Sequence, residues 1–352
     1  MAKGTTIGID IGHDQLKLAV VSGNSIKKLA VYPMPENMIN SGEIASVEGM
    51  SQLIKAAMKE NGIHAKNAAV ILSGENVFFR NITMPQMTQS QLDINLPYEF
   101  RDYITDEIKN YLFDYSVVDN NFMTPVEEEE HSEYERYKAP EESSEPKMKA
   151  MMKLSAAAVP KTMVEEMRDT IKKAGLRFEM AAPTVYALSS LIRAFEAKGN
   201  KMDEYCFIDL GYSSVRMVMF EGDTPVTSRV LETGMSVIDR AIADKYNVDI
   251  HLAHTYLITN YDNCQDAEEC KNAYNAIAVE LMRALNFFKF SNPDSKLSDA
   301  FLIGGGAAIE ALRTELDSFL ELELHPVNEI LGTDIDINTE AMAAQAAGIA
   351  MN

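Results

Sequence analysis

The sequence predicts an α/β protein built from two similar halves, and three observations carry that expectation. A strand, a tight turn and a second strand open the chain around Asp10-Ile11-Gly12. The same pattern returns about two hundred residues later around Asp209-Leu210-Gly211. An apolar strand at 300–303 then runs into three consecutive glycines, Gly304, Gly305 and Gly306, followed by Ala307.

The first copy reads Ile7-Gly8-Ile9-Asp10-Ile11-Gly12, a turn at His13-Asp14-Gln15, an apolar run at 16–21 and a second turn at Ser22-Gly23-Asn24. The second reads Phe207-Ile208-Asp209-Leu210-Gly211, a turn at Tyr212-Ser213-Ser214, a run at 215–220 and a turn at Glu221-Gly222-Asp223. Thirteen residues separate the Asp from the turn Gly in both copies. A third extended run follows each, at 26–32 and 226–231, so each copy reads as three antiparallel strands bounded by Gly, Asn and Asp. Helical patterns come next, at 50–61 and 237–246. A meander followed by helices, used twice, implies two α/β halves of one design.

The residue types suit a cleft for phosphates. A glycine after a strand has no Cβ, so its backbone turns tightly and its N–H groups approach an anion closely. An Asp at the strand end can hold a hydrated Mg²⁺, which keeps its waters and takes few carboxylates. This gives Asp10 and Asp209 as metal-holding residues. Lys17, seven residues after Asp10, is placed to reach the same phosphates as a point charge. Gly12, His13, Asp14 and Gln15 form the first phosphate turn; Gly211, Tyr212, Ser213 and Ser214, with Gly234, form the second. The glycines at 304–306 precede an amphipathic helix expected over 309–319, a favourable place for a nucleotide. The chain has no Gly-X4-Gly-Lys-Ser/Thr loop and no Gly-X-Gly-X2-Gly fingerprint.

Composition removes several function classes. The 352 residues are 46% hydrophobic and 24% charged, enough for a sizeable core, and length suggests about two structural units. A net charge of −21 argues against a nucleic-acid surface and against a polybasic membrane patch. Much of it is local: 127–145 holds nine Glu against Arg136 and Lys138, a net of −7. Three cysteines, Cys206, Cys264 and Cys270, fit a reducing compartment better than a disulfide framework. Neither a signal peptide nor an apolar run of ~18 residues is present. A cytosolic protein is expected, reaching the membrane through a partner. His251, His254, Cys264 and Cys270 cluster in sequence, but their spacings do not match a zinc finger or ribbon.

These segments resemble the superfamily of actin, heat-shock chaperones and sugar kinases. Asp10-Ile11-Gly12 through Lys17 is similar to its first phosphate motif, Asp209 through Ser214 to its second, and Leu302 through Ala307 to its adenosine motif. Within it the chain resembles the type IV pilus assembly protein PilM family, relatives of the cell-division protein FtsA, over nearly its whole length. The likeness rests on Gly8 to Gly12 with Lys17, on 77–85 followed by Tyr98-Glu99-Phe100 and Tyr103-Ile104, on 154–161, on Lys173-Ala174-Gly175-Leu176, and on the closing helix at 343–351.

The resemblance implies an actin-like ATPase fold with duplicated ribonuclease H-like halves, ATP or ADP with Mg²⁺ as ligands, and an inserted FtsA-type α+β subdomain. The first half is expected at 1–77 with 178–200 and 325–352, the insertion at 78–177 and the second half at 201–324. The insertion reads as strand, helix (90–104), strand (111–118), strand (148–159) and helix (161–174), with an acidic disordered loop at 120–147. The family further implies a groove, between the first subdomain and the insertion, for the N-terminal peptide of a PilN-type inner-membrane protein. A cytosolic motor ATPase and a homo-oligomeric ring are further partners it suggests.

The sequence departs from that pattern at the residue that orients the attacking water in hydrolysing relatives. Ala182 stands before Pro183 where an acidic residue is expected, and Glu179 lies three residues away. Phosphoryl transfer depends on positioning and electrostatics, so nucleotide binding with weak or absent ATPase activity is expected. His13 also replaces a small residue. An FtsA-like cytoskeletal protein and a small-molecule kinase of the same fold are the alternatives. The first should end in a linker and amphipathic anchor, whereas this sequence stops directly after its last helix, at 348–352. The second needs an Asp base and a sugar pocket for which no loop is evident.

Overall fold

Apolar strand runs punctuated by turn residues open the chain. The computed structural model describes residues 4–40, 43–74, 76–125, 148–333 and 335–351. Strands β1 (Thr5–Ile11), β2 (Gln15–Ser22) and β3 (Ser25–Pro33) form an antiparallel meander. Its outer turn uses Gly23 at φ +60°, a conformation that side chains resist. A two-residue ladder of β4 (Ile39–Asn40) and β5 (Glu43–Ile44) leads to α1 (Val47–Glu60). The Ser46 side chain caps α1 by accepting from the Gly49 N–H, and Met50, Ile54 and Ala57 line its buried face at helical spacing. Strand β6 (Asn67–Leu72) follows and runs parallel to β1.

Residues Phe78–Pro160 form a compact unit of their own, the rest of the chain the other. In the smaller unit β7 (Phe78–Pro85) and β8 (Tyr111–Pro125) flank a central β9 (Met148–Pro160), all antiparallel. The helix expected over 90–104 is α2 (Gln89–Asn95) followed by a 3-10 turn at Leu96–Phe100. Pro97 accounts for the break, because it lacks an N–H and its ring clashes with the preceding turn. Ile82, Leu96, Phe100, Ile104 and Leu154 make the core of this unit. Strand β8 runs on to Pro125, into the segment expected to be a disordered loop, with Phe122, Met123 and Thr124 paired to Met151, Ala150 and Lys149. Such residues suit a pleated surface. Residues 126–147, the acidic part of that loop, lie outside the described residues.

The larger unit resumes with α3 (Lys161–Lys173), β10 (Arg177–Pro183) and α4 (Thr184–Glu196). Helix α3 was expected in the insertion, but Ile171, Ala174 and Leu176 are buried with Ile54 and Ile63 in the core under β1 and β2. Burial of that face ties α3 to the larger unit. Strand β10 pairs parallel to β6, completing a sheet ordered β3-β2-β1-β6-β10.

The second half repeats the plan. Strands β11 (Glu204–Leu210), β12 (Val215–Glu221) and β13 (Thr224–Leu231) are the meander. Helices α5 (Ser236–Tyr246), α6 (Ile250–Thr259) and α7 (Glu268–Ser291) follow. Then come β14 (Asp299–Ile303), α8 (Glu310–Phe319), β15 (Glu323–Pro326), α9 (Asn328–Leu331) and α10 (Ile337–Ala350). The sheet order is β13-β12-β11-β14-β15, with β14 and β15 parallel to β11. Order and direction match the first sheet strand for strand. Phe207, Phe220 and Phe301 pack their rings in its core, with centroids 5.7 to 5.9 Å from Phe207.

Helix α10 joins the halves. It is alanine-rich and buried nearly all round, from Ala341 to Ala350. It comes so close to β1 that a Cβ on Gly8 would lie 1.7 Å from the Ala346 carbonyl oxygen. A Cβ on Gly348 would lie 2.2 Å from the Ala187 carbonyl oxygen of α4. Only glycine allows this approach, which carries Gln345 to the space between the two hairpins.

Candidate functional site: two facing Asp–Gly hairpins

Hydrogen-bonded pairing along β1 and β2 sets Asp10 directly opposite Lys17. Cross-strand partners share a face, so the two side chains meet, Lys17 Nζ to Asp10 Oδ2, at 3.2 Å. The turn between them is closed by the Gly12 N–H donating to the Gln15 carbonyl at 2.9 Å. A Cβ on Gly12 would lie 2.7 Å from Lys17 Nζ, so glycine leaves the ammonium its place. In the second half the same register sets Asp209 opposite Arg216.

The second hairpin is enclosed by backbone. A Cβ on Gly211 would meet the Ser214 carbonyl oxygen at 2.7 Å. One on Gly234 would meet the Ser214 nitrogen and the Tyr212 oxygen at 2.4 Å. Gly304, at φ +86°, passes so near that a Cβ would lie 2.5 Å from Asp209 Oδ1. Gly306 packs on Met235 and Leu210 and Ala307 is buried, whereas Gly305 borders open space. The Gln345 amide donates to Asp209 Oδ2 at 2.6 Å and accepts from the Thr184 hydroxyl at 3.3 Å. This chain runs from the start of α4 through α10 to β11.

Charge ties the hairpins together. Burial pulls the Lys17 pKa down, but Asp10, Asp209 and Asp14 outweigh it and hold the ammonium above its ordinary value. Burial pushes the Asp209 pKa up and Asp10 adds to it, against Lys17, Arg216 and the Gln345 hydrogen bond. At the mouth, His13 and Tyr212 stack with centroids 5.4 Å apart and planes 15° apart. Tyr212 also meets His254 edge-on at 6.0 Å, and His254 Nδ1 lies 2.9 Å from Asp239 Oδ2.

Most of the residues expected at the site therefore converge. Asp10, Lys17 and Asp209 meet through charge, His13 stacks on Tyr212, and Gly12, Gly211, Gly234 and Gly304 close on the backbone and side chains of the same two hairpins. Asp14 and Gln15 shape it through backbone, Asp14 accepting from Met34 and Gln15 from Gly12. Ser214 backs Gly234, and Ser213 is exposed. Glu179 is elsewhere: it accepts from Thr6, four residues before Asp10 and roughly 13 Å back along β1. Sequence reasoning missed Arg216, Gln345 and Thr184. Arg216 was detectable, since it follows Asp209 by seven residues as Lys17 follows Asp10. Gln345 carried no local signal. His251, His254 and Cys264 take separate partners: Glu36, Asp239 and the Tyr256 carbonyl.

Two halves of one strand order, each offering an Asp–Gly hairpin to the other beside a glycine loop, define a protein of the actin-like ATPase fold. The family model described as "Type IV pilus assembly protein PilM" matches residues 8–131 and 138–351, and the chain belongs to that family. A chain of a PilM–PilN type IV pilus biogenesis complex matches with a TM-score of 0.77 and 24% identity, over 98% of this chain and 97% of that one. The ethanolamine utilization protein EutJ from Carboxydothermus hydrogenoformans matches with a TM-score of 0.60 and 12% identity, over 100% and 90%. These two likenesses concern the fold. Among the described residues no helix is long and apolar enough to cross a membrane.

Proposed function

We propose that this chain is a cytosolic nucleotide-binding assembly protein of a type IV pilus or related secretion system. In this reading it lies at the inner face of the cell membrane by binding the N-terminal peptide of a PilN-type protein. The observation that carries the nucleotide reading is the convergence of Asp10, Lys17 and Asp209 with backbone that tolerates no Cβ at Gly12, Gly234 and Gly304. That donor set fits a Mg-nucleotide. The first phosphate turn is Gly12, His13, Asp14 and Gln15 with Lys17; the second is Gly211, Tyr212, Ser213 and Ser214 with Gly234. Gly304, Gly305, Gly306 and Ala307 border the nucleoside. Asp10 and Asp209 would hold the hydrated Mg²⁺, which would neutralise phosphate charge. Ala182 offers no group to orient water, and Glu179 is held by Thr6. Binding, rather than turnover, is the proposed signal.

Membership of the PilM family supports the partner, as does likeness to a chain solved in a PilM–PilN complex. Nucleotide would bias closure of the two halves, and that bias would reach the peptide. A thermal shift with Mg-ATP, on wild type, Asp10→Ala and Asp209→Ala, tests the site. Ligand at a hundred times its dissociation constant adds about 2.7 kcal/mol of stability. The wild type should shift and both variants should not. Equal affinity for the PilN-type peptide with and without Mg-ATP would remove the coupling. Sedimentation under the same conditions reads ring formation, and added motor ATPase reads that contact.

A further inference from the structure

The duplicated hairpins place four charged side chains at equivalent positions, Asp10 with Lys17 and Asp209 with Arg216, each pair facing across a strand ladder. The two cations differ in one respect. Lys17 is already engaged, 3.2 Å from Asp10. The Arg216 side chain makes no hydrogen bond and no ion pair with any described residue, although it is partly buried beside Asp209. A guanidinium offers five donors and no acceptor, and holding it out of water without a partner is costly. Its planar fork matches paired oxygens of a carboxylate or phosphate.

We propose that Arg216 is the second half's counterpart of Lys17, a phosphate-binding residue whose guanidinium takes two oxygens of a nucleotide's phosphate chain. The inference rests on the nucleotide reading above and deepens it. The arrangement supports it in three ways. The shared register directs Arg216 and Asp209 to the same face, and Asp209 is the carboxylate that touches Gly304 and Gln345. Burial draws the Arg216 pKa down while Asp209 and then Asp10 raise it, so the guanidinium senses the carboxylates of both hairpins. The two carboxylates and two cations balance, so a phosphate chain arriving with Mg²⁺ lets the metal occupy the carboxylates and leaves the cations for phosphate oxygens. Lys17 must then loosen from Asp10, whereas Arg216 has no bond to give up.

Calorimetric titration of Mg-ATP and Mg-ADP into wild type, Arg216→Gln and Arg216→Lys tests this, with a melting curve of each protein free of ligand. The expected result is a loss of roughly ten- to hundred-fold in affinity for both nucleotides in Arg216→Gln, with the ligand-free melting temperature unchanged or higher. Arg216→Lys should recover only part of the loss, because an ammonium cannot bind two oxygens as a fork. Wild-type binding with unchanged affinity in Arg216→Gln overturns the inference and leaves the nucleotide reading standing. If Arg216→Gln does not fold, Arg216→Lys decides: wild-type affinity there overturns the proposal. No binding by wild type would overturn the nucleotide reading itself.

Discussion

His13 and Tyr212 occupy the same position in the two copies of the hairpin, each directly after the turn glycine, and their rings stack 5.4 Å apart across the space between the halves. The duplication thus places equivalent residues in contact with each other. Sequence reading placed His13 in the first phosphate turn as the replacement of a small residue; the ring contact was not foreseen. Aromatic pairs of this kind add about 0.5–1.5 kcal/mol beyond the area they bury. A double-mutant cycle with His13→Ala and Tyr212→Ala, read by urea unfolding, should return a coupling in that range. Additive single effects would mean that the rings are neighbours without holding the halves together.

Asp209 carries a cost in the absence of ligand. Burial raises its pKa, so the folded state binds a proton more readily than the unfolded chain. Stability from this group therefore falls as pH rises from the unfolded value, near ~3.9, through the raised folded value. Asp209→Asn removes the buried charge and should raise the ligand-free melting temperature at pH 7, an advantage that shrinks as the buffer is acidified. The same variant should lose the Mg-ATP shift. A lower melting temperature at pH 7 would show instead that Lys17, Arg216 and Gln345 more than compensate the carboxylate.

Legibility followed the range of the interactions. The meanders were readable because Gly, Asn and Asp mark their turns, and β14 because an apolar run ends in three glycines. The turn residues that the two hairpins bring together, such as His13 and Tyr212, were readable for the same reason. What failed depended on distant packing. The boundary near 177 misplaced α3, because the sequence of 161–173 does not say which core its Ile171 face joins. Gln345 sits in an alanine-rich helix whose neighbours are set by Gly8 and Gly348, over three hundred residues apart, and no local pattern could announce it. Arg216 was legible in the repeat, seven residues after Asp209 as Lys17 is after Asp10.

His254 gives the second half a pH dependence. It faces Asp239 of α5, Asp14 of the first hairpin and the Tyr212 ring, and the Asp239 hydrogen bond, against burial, raises its pKa above the ordinary value. A raised folded pKa means that the stabilisation is fully present below the unfolded value, about 6.5, and is lost as pH rises through the folded one. Denaturation midpoints should therefore fall between pH 6 and pH 8 by more in wild type than in His254→Gln. Parallel pH profiles for the two proteins would assign the dependence to other groups.

Gln345 reaches Asp209 from α10 with a 2.6 Å hydrogen bond and is steadied by the Thr184 hydroxyl. A hydrogen bond to a charged group contributes about 1.5–3 kcal/mol, and losing the donor leaves a buried carboxylate with one less partner. Gln345→Leu should lower ligand-free stability by that order. Gln345→Glu should do worse, since it sets a second carboxylate against Asp209 with similar shape. The ranking of melting temperatures is then wild type, Gln345→Leu, Gln345→Glu. Adding Asp209→Asn should erase most of the Glu penalty, because an amide at 209 can donate to the new carboxylate. If the penalty persists in the double variant, its origin lies in the packing of α10 against β1, and the contact with Asp209 is incidental to it.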